Sequence, residues 1–120
     1  MIAGIKNTEL PSIDNIIEYL ENTTEESWCL DVVKTKEGGN CLFGHLFDMG
    51  GSRLMDLFED QFATTFMVYP VNDGTNPKYQ QSTPKQRCLA YVKDLKSGVA
   101  QTTQDIYKEY DEEIRNEKNV

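Results

Sequence analysis

Apolar residues recur along this chain at helical spacing for most of its length. Ile13, Ile16, Ile17 and Leu20 fall at i, i+3, i+4 and i+7, Ser12 stands where an N-cap is needed, and Asp14 and Glu18 suit the N-terminal half. A helix is therefore predicted over residues 12–22. Asn22-Thr23-Thr24 breaks the pattern. Trp28-Cys29-Leu30-Asp31-Val32-Val33 has the composition of a strand or of extended chain lining a core, and Lys36-Glu37-Gly38-Gly39 reads as a turn. From Asn40, the expected N-cap, the helical period returns, with Leu42, Phe43, Leu46 and Phe47 in one stripe. Gly50-Gly51 should stop that helix and Ser52 should cap the next, whose buried face would be Leu54, Leu57, Phe58 and Phe62.

The second half carries the best strand candidate, Thr64 to Val71, with Pro70 arguing for an edge position or an early end. Asn72-Asp73-Gly74 is a turn signal, and a polar loop follows through Gln81-Ser82. Thr83-Pro84 places Thr at N-cap and Pro at the first helical position, so a helix begins there, turns Cys88, Leu89, Val92 and Leu95 inward, and ends before Gly98. A last helix starts near Thr102, with Asp105 as its capping-box partner. It sets Ile106, Tyr107, Tyr110 and Ile114 on one side and acids on the other. Beyond Ile114 nothing apolar anchors the chain, and Arg115 to Val120 should fray. The expected fold is mainly α: one compact domain over residues 1–120, of about five helices with one or two short strands, and with residues 1–11 and 115–120 loosely held.

Composition narrows this picture. The 120 residues leave room for one core, and a hydrophobic fraction of 38% argues against wholesale disorder. No apolar run approaches the ~20 residues of a membrane span. The N-terminus lacks a basic region followed by an apolar segment, so no secretory signal is expected. Cys29, Cys41 and Cys88 are three cysteines without C-x-x-C spacing, beside a single histidine. Neither a structural metal site nor any cofactor is expected, and reduced thiols fit a cytoplasmic protein, in a host cell if phage-encoded.

Charge is uneven. The formal net charge of −8 separates into −8 over residues 1–60, +3 over 61–102 and −3 over 103–120. Such a chain repels nucleic acid and anionic membranes, so neither is an expected partner, while a basic protein surface is.

The candidate chemistry centres on Gly39-Asn40-Cys41-Leu42-Phe43-Gly44-His45. A thiol in the first turn of a helix faces free N–H groups and the positive end of the dipole, which favour thiolate. Against that, a free cysteine is commonly a small buried side chain, and His45 commonly a hydrogen-bonded residue at the core edge. Gly44 inside a helix implies close approach of another backbone segment, the Asn72 loop being one candidate. Asn72 and Asp73 read as a turn or as polar contacts beside Cys41. A second candidate is the helix start at Thr83, where Lys85 and Arg87 could help hold a small anionic ligand; ordinary surface charge is the alternative.

Gly39-Asn40-Cys41-Leu42-Phe43 resembles the nucleophile motif of the ovarian-tumour (OTU) class of deubiquitinating cysteine proteases. That resemblance implies Cys41 as nucleophile. The family's acidic residue before the glycine is here Gly38, and its downstream histidine has no counterpart after His45. Across Trp28 to Leu95 the chain also resembles a family of small uncharacterised bacterial and phage proteins with a domain of unknown function. The shared features are a leading helix, a Cys-Leu-x-Gly segment (Cys41, Leu42, Gly44), an Asn-Asp pair (Asn72, Asp73) and a Thr-initiated helix with spaced aliphatics (Thr83, Val92, Leu95). His45 stands where that family commonly has a small residue, and the segment after Gly98 is extra. This second resemblance implies a fold and a site location, not an activity.

The expected function is that of a non-enzymatic binding protein, a phage or mobile-element anti-defence inhibitor of the anti-CRISPR kind, that occupies a host protein complex with a basic surface. The expected contact is the last helix, through Asp105, Tyr107, Glu109, Tyr110, Glu112 and Glu113. A sponge for a nucleotide-like signal and a hydrolase using Cys41 and His45 are the alternatives.

Overall fold

Local capping chemistry sets most of the helix boundaries. Ser12 accepts the Asn15 N–H at 3.2 Å while the Asn15 side chain accepts the Ser12 N–H at 3.2 Å, a reciprocal box that opens α1 (Ile13–Glu21). The computed structural model describes residues 11–118, so the expectations for residues 1–10, 119 and 120 lie outside the described residues. The other helices are α2 (Leu42–Gln61), α3 (Thr65–Asp73), α4 (Pro84–Ser97) and α5 (Thr103–Lys118), with a short 3₁₀ turn at Glu25–Ser27. Among the described residues the fold is mainly helical and compact, with five α-helices and almost no strand. Its core joins Ile16 and Leu20 of α1, Leu42, Phe43, Leu46, Leu54 and Phe58 of α2, Val68 and Val71 of α3, and Cys88, Val92 and Leu95 of α4.

The predicted interruption at Gly50-Gly51 is present as a break inside α2. Gly51 takes φ 73° and ψ −170°, a conformation open essentially to glycine alone, so the helix axis is redirected there. The predicted start and end of α4 are also present: Thr83 Oγ accepts the Gln86 N–H at 3.1 Å, and Gly98 terminates the helix at φ 86°. At α5 the Thr102 hydroxyl accepts the Asp105 N–H at 3.1 Å, and the Asp105 carboxylate accepts the Thr102 N–H at 3.0 Å. The helix then continues to Lys118, past the Arg115 where fraying was expected. Asp111 and Glu112 stand one turn before Arg115, a spacing that supports a solvated helix.

Three expectations are corrected. Thr64–Val71 is not a strand but the body of α3. Its buried residues Val68, Val71 and Asn72 share one helical face, and Gly74 closes the helix at φ 88°. The Pro70 ring removes one helical hydrogen bond, which the packing of that face offsets. Asn40 is not the cap of α2. Cys41 is, and the Asn40 side chain instead accepts Lys34 Nζ at 2.9 Å and donates to Asp48 at 2.8 Å. Trp28–Val33 forms no strand either. Residues 28–40 make a loop closed on Asn40, with the Cys29 N–H bonded to the Asn40 carbonyl and the Asn40 N–H to the Ser27 carbonyl, both at 2.8 Å.

Candidate functional site

Asn72 is the hub of the Cys41 region. Fully buried on α3, its Oδ1 accepts the Leu42 N–H at 3.1 Å and so caps α2 from another element, while its amide donates to the Cys29 carbonyl at 2.9 Å and to Asp73 at 3.0 Å. The Cys88 thiol lies 3.5 Å from the same Oδ1. Asp73 also accepts the Asp31 N–H at 3.1 Å, which holds Asp31 at its positive φ of 70°. Asn72 and Asp73 therefore do sit beside the start of α2, where they tie three elements together.

Cys41 itself is fully buried and pairs with the Tyr69 side chain, whose phenol is pushed up to about 12 by burial first and by Cys41 second. Burial likewise raises Cys29 and Cys88 above the ordinary thiol value. Because Cys41 is an N-cap with extended backbone, φ −81° and ψ −174°, the rule that residues four apart share a helical face does not bring His45 over it. The His45 ring packs instead on Trp28 with centroids 4.3 Å apart, and its Nε2 lies 3.4 Å from Ser27 Oγ. Burial holds the imidazole below its ordinary value, against a hydrogen bond to the Ser27 backbone and the charge of Asp48, which pull it up. His45 lines an open, polar cleft of about 430 Å³ with Ser27, Asn40 and Asp48. The pair that a hydrolase would need faces two different surroundings.

Gly44 is where a second segment approaches, but that segment is the loop at Val33 rather than Asn72. A Cβ there would meet the Val33 carbonyl oxygen at 2.3 Å.

The cations near Thr83 do not converge on a ligand. Lys85 Nζ donates to the Glu21 carbonyl at 3.0 Å and the Thr23 carbonyl at 2.6 Å, at the end of α1. Arg87, 8% exposed, donates to the Val71, Asn72 and Gln81 carbonyls at 3.0, 2.8 and 2.9 Å. Both act as helix C-terminal caps, the positions where backbone dipoles favour a cation.

The last helix is arranged differently. Its start is fixed to the end of α2 by the Thr103 N–H on the Phe62 carbonyl at 2.9 Å and by the Gln104 side chain on the Asp60 carbonyl at 2.9 Å. From Gln104 to Glu113 every residue is exposed. Ile106, Tyr107 and Tyr110 are 40%, 53% and 62% exposed, so the expected apolar side is presented to solvent with Asp105, Glu109, Glu112 and Glu113 beside it.

Sequence patterning missed one cavity altogether. A groove of about 260 Å³ between α3 and α4 is lined by Phe66, Met67, Pro70, Tyr79, Tyr91 and Ala100. Reading Thr64–Val71 as a strand hid it, since only helical spacing separates Phe66 and Pro70 from the buried Val68, Val71 and Asn72.

No family model matches this chain, and comparison with curated proteins and with solved structures gave no match. Among the described residues no helix is long and apolar enough to cross a membrane.

Proposed function

We propose that this chain is a non-enzymatic binding protein that engages a basic surface on a host protein complex through α5, as an anti-defence inhibitor of the anti-CRISPR kind would. One observation carries the reading: two tyrosines and an isoleucine stand out of the globule on a helix rich in carboxylates. Helices of this length are marginal in water without packing, and aromatic residues ringed by charge are the usual anchors of interfaces. Tyr107, Tyr110 and Ile114 follow one another at spacings of three and four, as a helix-to-helix seam requires. Asp111 and Glu113 flank that seam, so a second copy would bring acid against acid, whereas Lys or Arg on a partner would be complementary. The phage and host-defence part of the proposal rests on size, acidity and family resemblance, an analogy of class rather than of site.

The test is capture from the lysate of a host cell. The wild type should retain one complex at stoichiometric yield, with an on-rate that falls steeply as salt rises. Replacing Glu109, Glu112 and Glu113 together by Lys should abolish retention while circular dichroism stays unchanged. Retention undiminished in that folded variant would remove α5 from the interface.

A further inference from the structure

The three cysteines surround Asn72, and none is in a disulfide; Cys41 and Cys88 are buried, while Cys29 is half-buried. Backbone pairing sets Cys29 against Cys41. Trp28 and Asn40 form a parallel bridge, closed by the Asn40 N–H on the Ser27 carbonyl and the Cys29 N–H on the Asn40 carbonyl, both at 2.8 Å. One residue further along both segments, that register puts Cys29 opposite Cys41. Paired extended chains lie about 4.8 Å apart. That spacing falls inside the roughly 4.4–6.8 Å that separates the Cα atoms of a disulfide. The faces agree as well. A Cβ on Gly39 would lie 3.2 Å from Cys29 Cβ, so the Cys29 side chain stands on the face that Gly39 shares, along an extended segment, with Cys41. Asn72 then fixes the spacing. The next bond of such a ladder would join the Leu42 N–H to the Cys29 carbonyl, and the Asn72 amide is inserted there, accepting the first at 3.1 Å and donating to the second at 2.9 Å.

We propose that Cys29 and Cys41 form a modification site, a dithiol that a hydroperoxide converts to an intrachain disulfide. Cys29 reacts first because it alone of the three is open to solvent. Its sulfur takes one peroxide oxygen, the O–O bond breaks, and a sulfenic acid and one water result. The Cys41 sulfur then attacks the Cys29 sulfur, the S–O bond breaks, and the hydroxyl leaves with the Cys41 proton as a second water. Two thiols are oxidised together by two electrons, and the peroxide is reduced to two waters. Cys88 stays out, buried on α4 with its thiol turned onto Asn72 Oδ1 at 3.5 Å. Burial, then Cys41 and Asp73, keep the Cys29 thiol protonated at neutral pH against the pull of Lys34, so the first step is slow and requires a sustained oxidant. The bond ties the N-cap of α2 to the 28–40 loop and takes Cys41 from its pairing with Tyr69. α5 has no part in this chemistry.

The probe is hydrogen peroxide added to the full chain in native buffer, after which the chain is unfolded and its remaining thiols are capped with N-ethylmaleimide. Intact mass and tryptic mapping read the result, since cleavage after Lys34 and Lys36 separates Cys29 from Cys41. Most chains should lose two hydrogens, the Cys29 and Cys41 peptides should appear joined, Cys88 should carry the maleimide, and dithiothreitol should restore all three thiols. The same treatment in concentrated urea should mix the pairings, because the register that selects Cys41 is gone. Cys29→Ser, a change at a half-buried position, should leave Cys41 and Cys88 both capped. The linked chain should also unfold at a higher urea midpoint than its reduced form, since the cross-link constrains the unfolded state. Three unreacted thiols, or Cys29 carried on to the sulfinic acid without a link, would overturn the proposal. So would a link to Cys88, a link between two chains, mixed pairing in native buffer, or a linked chain with a lowered midpoint.

Discussion

Gly44→Ala sets two physical effects against each other, and the structure decides which wins. Within a helix Ala is favoured over Gly by about 1 kcal/mol, so propensity alone predicts a more stable protein. The added Cβ, however, would lie 2.3 Å from the Val33 carbonyl oxygen and 2.7 Å from Asn40 Oδ1. Ordinary carbon–oxygen contacts begin near ~3.3 Å, so the Val33 carbonyl must retreat by roughly 1 Å. That carbonyl accepts the Cys41 N–H at 3.0 Å, and a shift of this size breaks the bond. A buried N–H left without its partner costs about 1–3 kcal/mol, and the strain of overpacking costs a further ~1–3 kcal/mol. Displacing Asn40 also loosens its bonds to Lys34 and Asp48. Set against the gain in propensity of about 1 kcal/mol, the net loss is about 1–5 kcal/mol, centred on ~3 kcal/mol. Urea unfolding would measure it, followed by circular dichroism and by the fluorescence of Trp28, which sits on the same loop. With a slope of about 1–3 kcal/mol per molar urea, the midpoint should fall by roughly 1 M or more. A variant that unfolds at the wild-type midpoint or above it would show that the 28–40 loop moves aside freely, and the packing argument for Gly44 would be wrong.

Arg87→Met keeps the apolar stem and deletes two bonds to the Val71 and Asn72 carbonyls at the end of α3 and a third to the Gln81 carbonyl in the loop before α4. It should lower stability by about 3–5 kcal/mol, with Arg87→Lys recovering only part; a loss below ~1 kcal/mol in thermal unfolding would refute the capping role. His45 is held below its ordinary value of 6.5 when folded, so as pH falls through that value the unfolded chain takes the proton first. Stability should therefore decline below about pH 6.5 and level off once the folded imidazole titrates. His45→Gln should flatten the urea midpoint between pH 7 and 5, well above the separate window in which Asp48, held low by Lys34, takes up its proton. Cys41→Ala should cost about 1–2 kcal/mol and leave partner binding unchanged; a folded variant that no longer binds would make thiol chemistry the leading reading.

Where a boundary is decided by neighbouring residues, it could be read from the sequence. Ser12, Thr83-Pro84, Gly98 and the Thr102–Asp105 box all act within a few residues of themselves. α3 could not be read in this way. Thr65, Phe66, Val68, Tyr69 and Val71 carry β-forming side chains, and Pro70 argues locally against a helix. What makes the segment helical is distant: Val68 and Val71 bury against the other elements, and Arg87, from the next helix, caps its end. Gly44 gave the right kind of reason, a close backbone approach, but not the identity of the approaching segment. The tyrosines of α5 were legible as an apolar side, whereas their exposure depended on where the rest of the chain packed.

The cations of the positive middle segment illustrate how tertiary placement changes the meaning of composition. Read as sequence, the +3 of residues 61–102 suggests an anion site. In the fold, Lys85 and Arg87 are engaged by backbone carbonyls, and Lys93 and Lys96 pair with Glu21 and Asp14 of α1. These contacts draw positive charge toward the globule, while the carboxylates of α5 stay in solvent on an element joined to the rest mainly at its first turn. An acidic arm of this kind attracts cationic surfaces at a distance, but the attraction does not discriminate among them and is screened by salt within about 10 Å. On the proposed reading of α5 as an interface, selectivity would come from short-range apolar contact. Among the described residues, exposed groups able to supply it include Ile106, Tyr107 and Tyr110 on the arm and Phe66 at the groove beside its root. Charge would thus govern how fast a partner arrives, and these groups would decide which partner stays.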